Sequence, residues 1–174
     1  MPDHVYLDTS ALVRRAEASV SSPTPRNTHA GAPVTTLLSA PLGPVATSEV
    51  GLLEFHDVIM RLLRNTDYDY RAHDQAWSEA ATTLLMDDVA SQRLDVRPVL
   101  PKAFEHVMSL VTLATRSYGK NFRVWDALHL VTATAWATDV GEQIELWTTD
   151  TDFEGFIALF PHFGRAVVVR NLDN

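Results

Sequence analysis

The sequence predicts an α/β fold, with a central, mostly parallel, five-stranded sheet and helices on both faces. Three observations carry that prediction. Short β-prone apolar runs are separated by longer helical stretches rather than by tight turns, the pattern of parallel sheets joined by crossovers. The runs are apolar almost throughout, as strands covered on both faces must be. Acids stand just beyond two of them, at Asp8 and at Asp150 and Asp152, and parallel sheets carry their sites at the carboxyl ends of strands.

Val5-Tyr6-Leu7 reads as the first strand, followed by a helix from Ala11 to Glu17. Residues 19–44 hold five of the nine prolines among Ser, Thr and Gly, and predict a loop or flap with one or two helical turns near Val34–Ala40. Val45-Ala46-Thr47 is the second strand. Ser48 is a good N-cap for a helix reaching about Asn65, with Glu49 answering its dipole and Leu52, Phe55, Ile59 and Leu62 at helical spacing. A further helix is expected over Tyr70–Val89, a third strand over Leu94–Leu100, and a helix over Lys102–Ser117 that ends at Tyr118-Gly119-Lys120-Asn121. Val124–Asp139 is helical and rich in small residues. Ile144–Thr148 and Ala166–Arg170 complete the strands, with a short helix near Phe153–Leu159 between them. No internal repeat is visible.

At 174 residues and 46% hydrophobic composition, residues 1–174 suit one domain and a single core. The absence of cysteine excludes a disulfide framework or a Cys-rich zinc knuckle. No basic, apolar leader opens the chain, and no run approaches the roughly 18 apolar residues of a membrane span, so a cytoplasmic protein with no membrane partner is expected. A net charge of −8 and a pI near 5.2 argue against sequence-blind coating of DNA. They do not exclude a nuclease, because carboxylates gathered to hold metal lower the pI without repelling substrate once the ion is bound.

Two further acids interrupt apolar helical stretches: Glu54 in Val50-Gly51-Leu52-Leu53-Glu54-Phe55, and Asp126 in Val124-Trp125-Asp126-Ala127-Leu128-His129-Leu130. Asp8, Glu54, Asp126 and Asp150 brought together would repel one another unless hard cations neutralise them. Oxygen ligands without cysteine favour Mg²⁺, with Mn²⁺ as its substitute. Such ions suit phosphodiester hydrolysis, since they activate a bound water and stabilise attacking and leaving oxygens.

Four blocks of the chain resemble PIN-domain proteins, in order and over nearly the whole length: Val5-Tyr6-Leu7-Asp8-Thr9-Ser10-Ala11-Leu12, Ser48–Phe55 with an acid six residues after the Ser, Trp125–Ala133, and Trp147–Phe153. The VapC-type ribonuclease toxins of toxin–antitoxin pairs are the most similar subgroup. The resemblance implies a three-layer α/β/α sandwich and a Mg²⁺- or Mn²⁺-dependent endoribonuclease. It also implies a homodimer, RNA as substrate, and a small cognate antitoxin as inhibitor. It places the catalytic and metal-binding acids at Asp8, Glu54, Asp126 and Asp150, with Ser10, Thr148 and Asp152 in support. The Pro-rich segment 19–44 is extra length relative to most such toxins.

Each acid also has a plainer reading. Asp8 could cap the following helix, Glu54 could be a solvated residue paired with Arg61, Asp126 could answer a helix dipole, and Asp150 could form a turn with Thr151 and Asp152. His129, alone among Leu and Ala, reads as a core residue. Trp125, Trp136 and Trp147 read as core or dimer surface. Arg14, Arg15, Arg61, Arg64, Arg71, Arg116, Lys120 and Arg123 lie beside acid-bearing segments and are candidates for phosphate contacts. Two other functions compete with the nuclease: a non-catalytic PIN-like binding module, and an aspartate-nucleophile phosphatase. The phosphatase is disfavoured by Ser10 standing where a second acid is needed.

Overall fold

The protein is represented by a computed structural model that describes residues 3–20, 25–41, 43–64, 74–119 and 122–173. Five strands, β1 (Val5–Leu7), β2 (Val45–Ser48), β3 (Asp95–Arg97), β4 (Ile144–Thr148) and β5 (Val167–Asn171), pair in the order β3-β2-β1-β4-β5, every pair parallel. The chain builds outward from β1 on one side, then returns to add β4 on the other. The switch point therefore lies between β1 and β4. It is there that a doubly wound sheet leaves a crevice outside its carboxyl edge.

Alternation along β1 sorts the two helical layers. Val5 and Leu7 pack into a core shared with α1 (Thr9–Val20), α2 (Pro25–Ser39), α3 (Glu49–Arg64) and α4 (Gln75–Ala90). Tyr6 points the other way, into a core formed with α5 (Pro101–Tyr118), α6 (Val124–Val140) and α7 (Asp152–Leu159). β4 repeats the division, with Trp147 in the first layer and Ile144 and Leu146 in the second. The result is the three-layer α/β/α sandwich with a five-stranded sheet. Among the described residues, no helix is long and apolar enough to cross a membrane.

Most elements fall where the sequence puts them, and their boundaries have local causes. Ser48 Oγ accepts the Gly51 amide at 3.0 Å, and Asp74 Oδ1 accepts that of Trp77 at 2.8 Å, so each caps the start of a helix. Gly119 and Gly141 end α5 and α6 at φ 62° and 74°, the left-handed region that a side chain would strain. The third strand is shorter than expected, ending at Arg97 before Pro98. The expected ends of α3 at Asn65 and of α4 at Tyr70, and the break at Lys120 and Asn121, lie outside the described residues.

Segment 19–44 is a correction. In place of a loop or flap it carries α2, packed along α1. Pro25 sits at the first helical position, where no amide hydrogen is needed. Ala30, Val34 and Leu38, spaced by one helical turn, are fully buried. Pro33 lies inside the helix and removes one backbone bond, and the apolar stripe holds the helix together across it. Gly31 is required by the packing: a Cβ there would lie 2.3 Å from the Arg14 carbonyl oxygen and 2.6 Å from Ala18 Cβ.

Candidate metal centre

Asp8 follows β1 directly, and the sheet registers it against β4: its amide donates to the Trp147 carbonyl at 3.2 Å. Its carboxylate is buried and tied on both oxygens. Oδ1 accepts from Ser10 Oγ (2.7 Å) and the Ala11 amide (3.1 Å), and Oδ2 accepts from Thr148 Oγ1 (2.8 Å). Since an ionised oxygen accepts twice, one position on Oδ2 remains for a cation. Burial raises the Asp8 carboxyl above its ordinary range, although His129, Ser10, Ala11 and Thr148 all oppose the shift.

Ser10 and Thr148 form the hinge between the two strand ends. Each spends its only hydroxyl proton on Asp8, so the 3.2 Å contact between their oxygens is an approach of two acceptors bridged by the carboxylate. Both oxygens then accept from the chain beyond β4: Thr149 N–H to Ser10 Oγ at 2.8 Å, Asp150 N–H to Thr148 Oγ1 at 2.9 Å. The Asp152 amide in turn donates to Asp150 Oδ1 at 2.9 Å. The turn after β4 is thereby set against Asp8.

Asp126 comes from the first turn of α6 and Glu54 from the second turn of α3. All four acids expected from the sequence line one cleft of about 250 Å³, together with Thr9, Ser10, Arg14, Arg61, Arg123 and Thr149. One ligand oxygen each from Asp126, Asp150 and Asp152 lies within 4.8 Å of the others. Asp8 and Glu54 share the cleft with Asp126 and Asp150 and act on the Asp126 carboxyl through their charges. Asp126 is the strained member: only 8% exposed, its Oδ2 is buried without a hydrogen-bond partner. Burial first, then the charges of Asp150, Asp8 and Glu54, push its carboxyl up to about 7.

An orphaned carboxylate oxygen beside two further acids fits a hard divalent cation, which would satisfy the oxygen and neutralise the repulsion. Asp126, Asp150 and Asp152 would hold the ion, with Asp8 beside them. Glu54 behaves differently. Burial pushes its carboxyl up, but hydrogen bonds from His129 (3.2 Å) and Thr9 (2.7 Å), with the charge of Arg61, outweigh burial and hold it below its ordinary value.

Other candidates separate clearly. Arg14, Arg61 and Arg123 reach the cleft. Arg15 does not: it is buried against Asp88 on α4, which also takes Arg93 at 2.9 Å, so it ties α1 to α4. Arg116 lies on α5 in a separate depression with Met108 and Leu113, Arg64 is an exposed residue at the end of α3, and Arg71 and Lys120 lie outside the described residues. Trp136 and Trp147 are buried and Trp125 is 44% exposed. Glu49 adds a bond from the Val99 amide to its place at the α3 N-terminus. Thr9, Glu17 and Thr149 also reach the centre without a signal in the sequence, and His129, expected as a core residue, is buried and meets Glu54. The one signal for His129 was its spacing, three residues after Asp126 and so on the same face of the helix.

No family profile matches the sequence, and no curated protein matches it either. Solved structures do. The chain is similar to VapC20 of Mycobacterium tuberculosis, a sarcin-ricin loop cleaving toxin, with a TM-score of 0.56 and 19% identity over 87% of this chain and 93% of that one. The fold is PIN-like, that of the VapC toxins. VapBC2 of Rickettsia felis, bound to a DNA fragment from its promoter, gives a TM-score of 0.57 at 14% identity, covering 97% of this chain and 98% of that one. VapBC-5 of Mycobacterium tuberculosis, a member of the VapBC family of toxin-antitoxin systems, gives 0.55 at 18%, covering 98% and 99%. The PIN-like likeness thus spans nearly the whole chain.

Proposed function

We propose that this PIN-like chain is a metal-dependent endoribonuclease and the toxin of a toxin–antitoxin pair, acting in the cytoplasm as a homodimer. The observation that carries the reading is Asp126, a buried carboxylate with an unpartnered oxygen, clustered with Asp150 and Asp152 at the switch point of a parallel sheet. An apolar or purely structural role gives no reason for that cost, since an unsatisfied buried acceptor destabilises by about 1–3 kcal/mol.

A bound Mg²⁺ or Mn²⁺ would supply a water of lowered pKa and charge to offset the phosphate. The residues do the rest. Ser10, Thr148 and the Ala11 amide hold Asp8 in one orientation, and the turn after β4 presents Asp150 and Asp152. Arg14, Arg61 and Arg123 at the cleft can take the phosphates on either side of the scissile bond. Likeness to a sarcin-ricin loop cleaving toxin supports RNA as the substrate class, and likeness to VapBC-5, a member of a toxin-antitoxin family, supports an antitoxin as the partner.

Titration calorimetry with Mn²⁺, run beside an RNA cleavage assay free of antitoxin, tests the reading. The wild type is expected to bind Mn²⁺ and cut RNA. Asp126→Asn should lose roughly 10-fold or more in Mn²⁺ affinity and most of the cleavage, while keeping the fold. A wild type that binds no divalent ion and leaves RNA intact overturns the nuclease and favours the binding module.

A further inference from the structure

His129 is 1% exposed, yet both ring nitrogens have partners from distant elements. Nδ1 lies 2.9 Å from the Tyr6 hydroxyl on β1, and Nε2 lies 3.1 Å from Thr9 Oγ1 and 3.2 Å from Glu54 Oε2. The proton positions follow from the distances. Thr9 has one hydroxyl proton, and its 2.7 Å contact to Glu54 Oε2 takes it. Facing Nε2, Thr9 Oγ1 and Glu54 Oε2 are then both acceptors, so Nε2 must carry hydrogen. In the neutral ring Nδ1 is then the acceptor, and the Tyr6 hydroxyl donates to it.

The pocket for this ring is built. Gly51 of α3 faces it, and a Cβ at that position would stand 3.0 Å from His129 Cε1 and 2.5 Å from Thr47 Oγ1. A chain that needed only a filler among its helices would have no use for a glycine, a threonine hydroxyl and a phenol around one imidazole.

We propose that His129 is a positioning residue for Glu54: anchored through Nδ1 by Tyr6, it donates from Nε2 to Glu54 Oε2 and leaves Oε1 for the ion or its water at the cleft. The proposal deepens the nuclease reading and rests on it for its effect on turnover. Glu54 is thus a carboxylate clamped from behind by an imidazole and a threonine. It is held ionised and in one rotamer, whereas Asp126 is left bare for the cation. Asp126 and His129, three residues apart on α6, present the cation ligand and the clamp from one rigid surface.

Two measurements test this. In ¹⁵N-labelled protein, long-range ¹H–¹⁵N correlation should show His129 protonated at Nε2, with that signal shifting in Glu54→Gln. An unprotonated Nε2, or one indifferent to Glu54→Gln, overturns the proposal. In kinetics, His129→Leu should lower kcat by about 10- to 100-fold with KM for RNA little changed, and His129→Gln, which restores an N–H toward Glu54, should recover most of it. Tyr6→Phe removes only the anchoring hydroxyl and should lower kcat several-fold, so the clamp stays testable if His129→Leu fails to fold. Folded His129→Leu and Tyr6→Phe chains with wild-type kcat overturn it, as does a Gln variant no better than Leu. A wild type that cleaves no RNA counts against the nuclease reading alone, because the ring spectrum still decides the clamp.

Discussion

Asp126 is more readily protonated in the folded chain than in the unfolded one, and the sign of the consequence follows. Its carboxyl titrates near 7 when folded and near the ordinary 3.8 when unfolded. Between those values the folded state binds the extra proton, so metal-free stability falls as pH rises from about 4 to about 7, by on the order of 4 kcal/mol. Thermal melts of the metal-free protein should show that decline, and Asp126→Asn should flatten it. The ion competes for the same oxygen, so Mn²⁺ affinity should climb as pH rises toward about 7 and level off above, read by calorimetry at several pH values. Asp8, Asp126 and Asp150 could be picked out of the sequence because acids interrupting or ending apolar runs need a reason to be there. His129 could not. A histidine among Leu and Ala looks like core and is indeed buried; its use appears only when Tyr6, 123 residues away, and Glu54, 75 residues away, arrive at its two nitrogens.

Among the elements, α2 tests how far packing overrides composition. Gly31→Ala would ordinarily stabilise a helix by up to about 1 kcal/mol. Here the added methyl would press on α1 backbone at Arg14 and on Ala18, an overpacking cost of about 1–3 kcal/mol, so the net should be destabilising. Urea denaturation of the variant should show a lower midpoint with an unchanged slope; a higher midpoint would mean that α1 and α2 separate more freely than their contact suggests. The strands and most helices were readable because their apolar spacing and caps agree with the fold. In α2 the signals conflicted. Five prolines in the segment speak for a loop, whereas Ala30, Val34 and Leu38 speak for a buried helical face. Burial won because Pro25 sits where a proline costs a helix nothing and Pro41 and Pro44 fall after its end.

For the molecule as a whole, the −8 charge means that any RNA bound at the cleft has to be held by a local patch against an unfavourable field. Two of the three arginines at the cleft already pair with acids, Arg14 with Glu17 at 2.7 Å and Arg61 with Asp57 at 3.1 Å, so phosphates must compete for them. The salt dependence of RNA binding should therefore be shallow, with a log–log slope of about −1 to −2, and Arg123→Ala should reduce it by about 0.7. Fluorescence anisotropy on a cleavage-dead Asp126→Asn chain measures both. The order β3-β2-β1-β4-β5 has one more consequence, for biosynthesis. Asp8 leaves the ribosome 140 residues ahead of its partner Thr148. Until β4 is made the nascent chain has no finished centre, and a premature stop before it releases a fragment in which the centre can never form. Whatever chemistry the centre performs is withheld until β4 has been made.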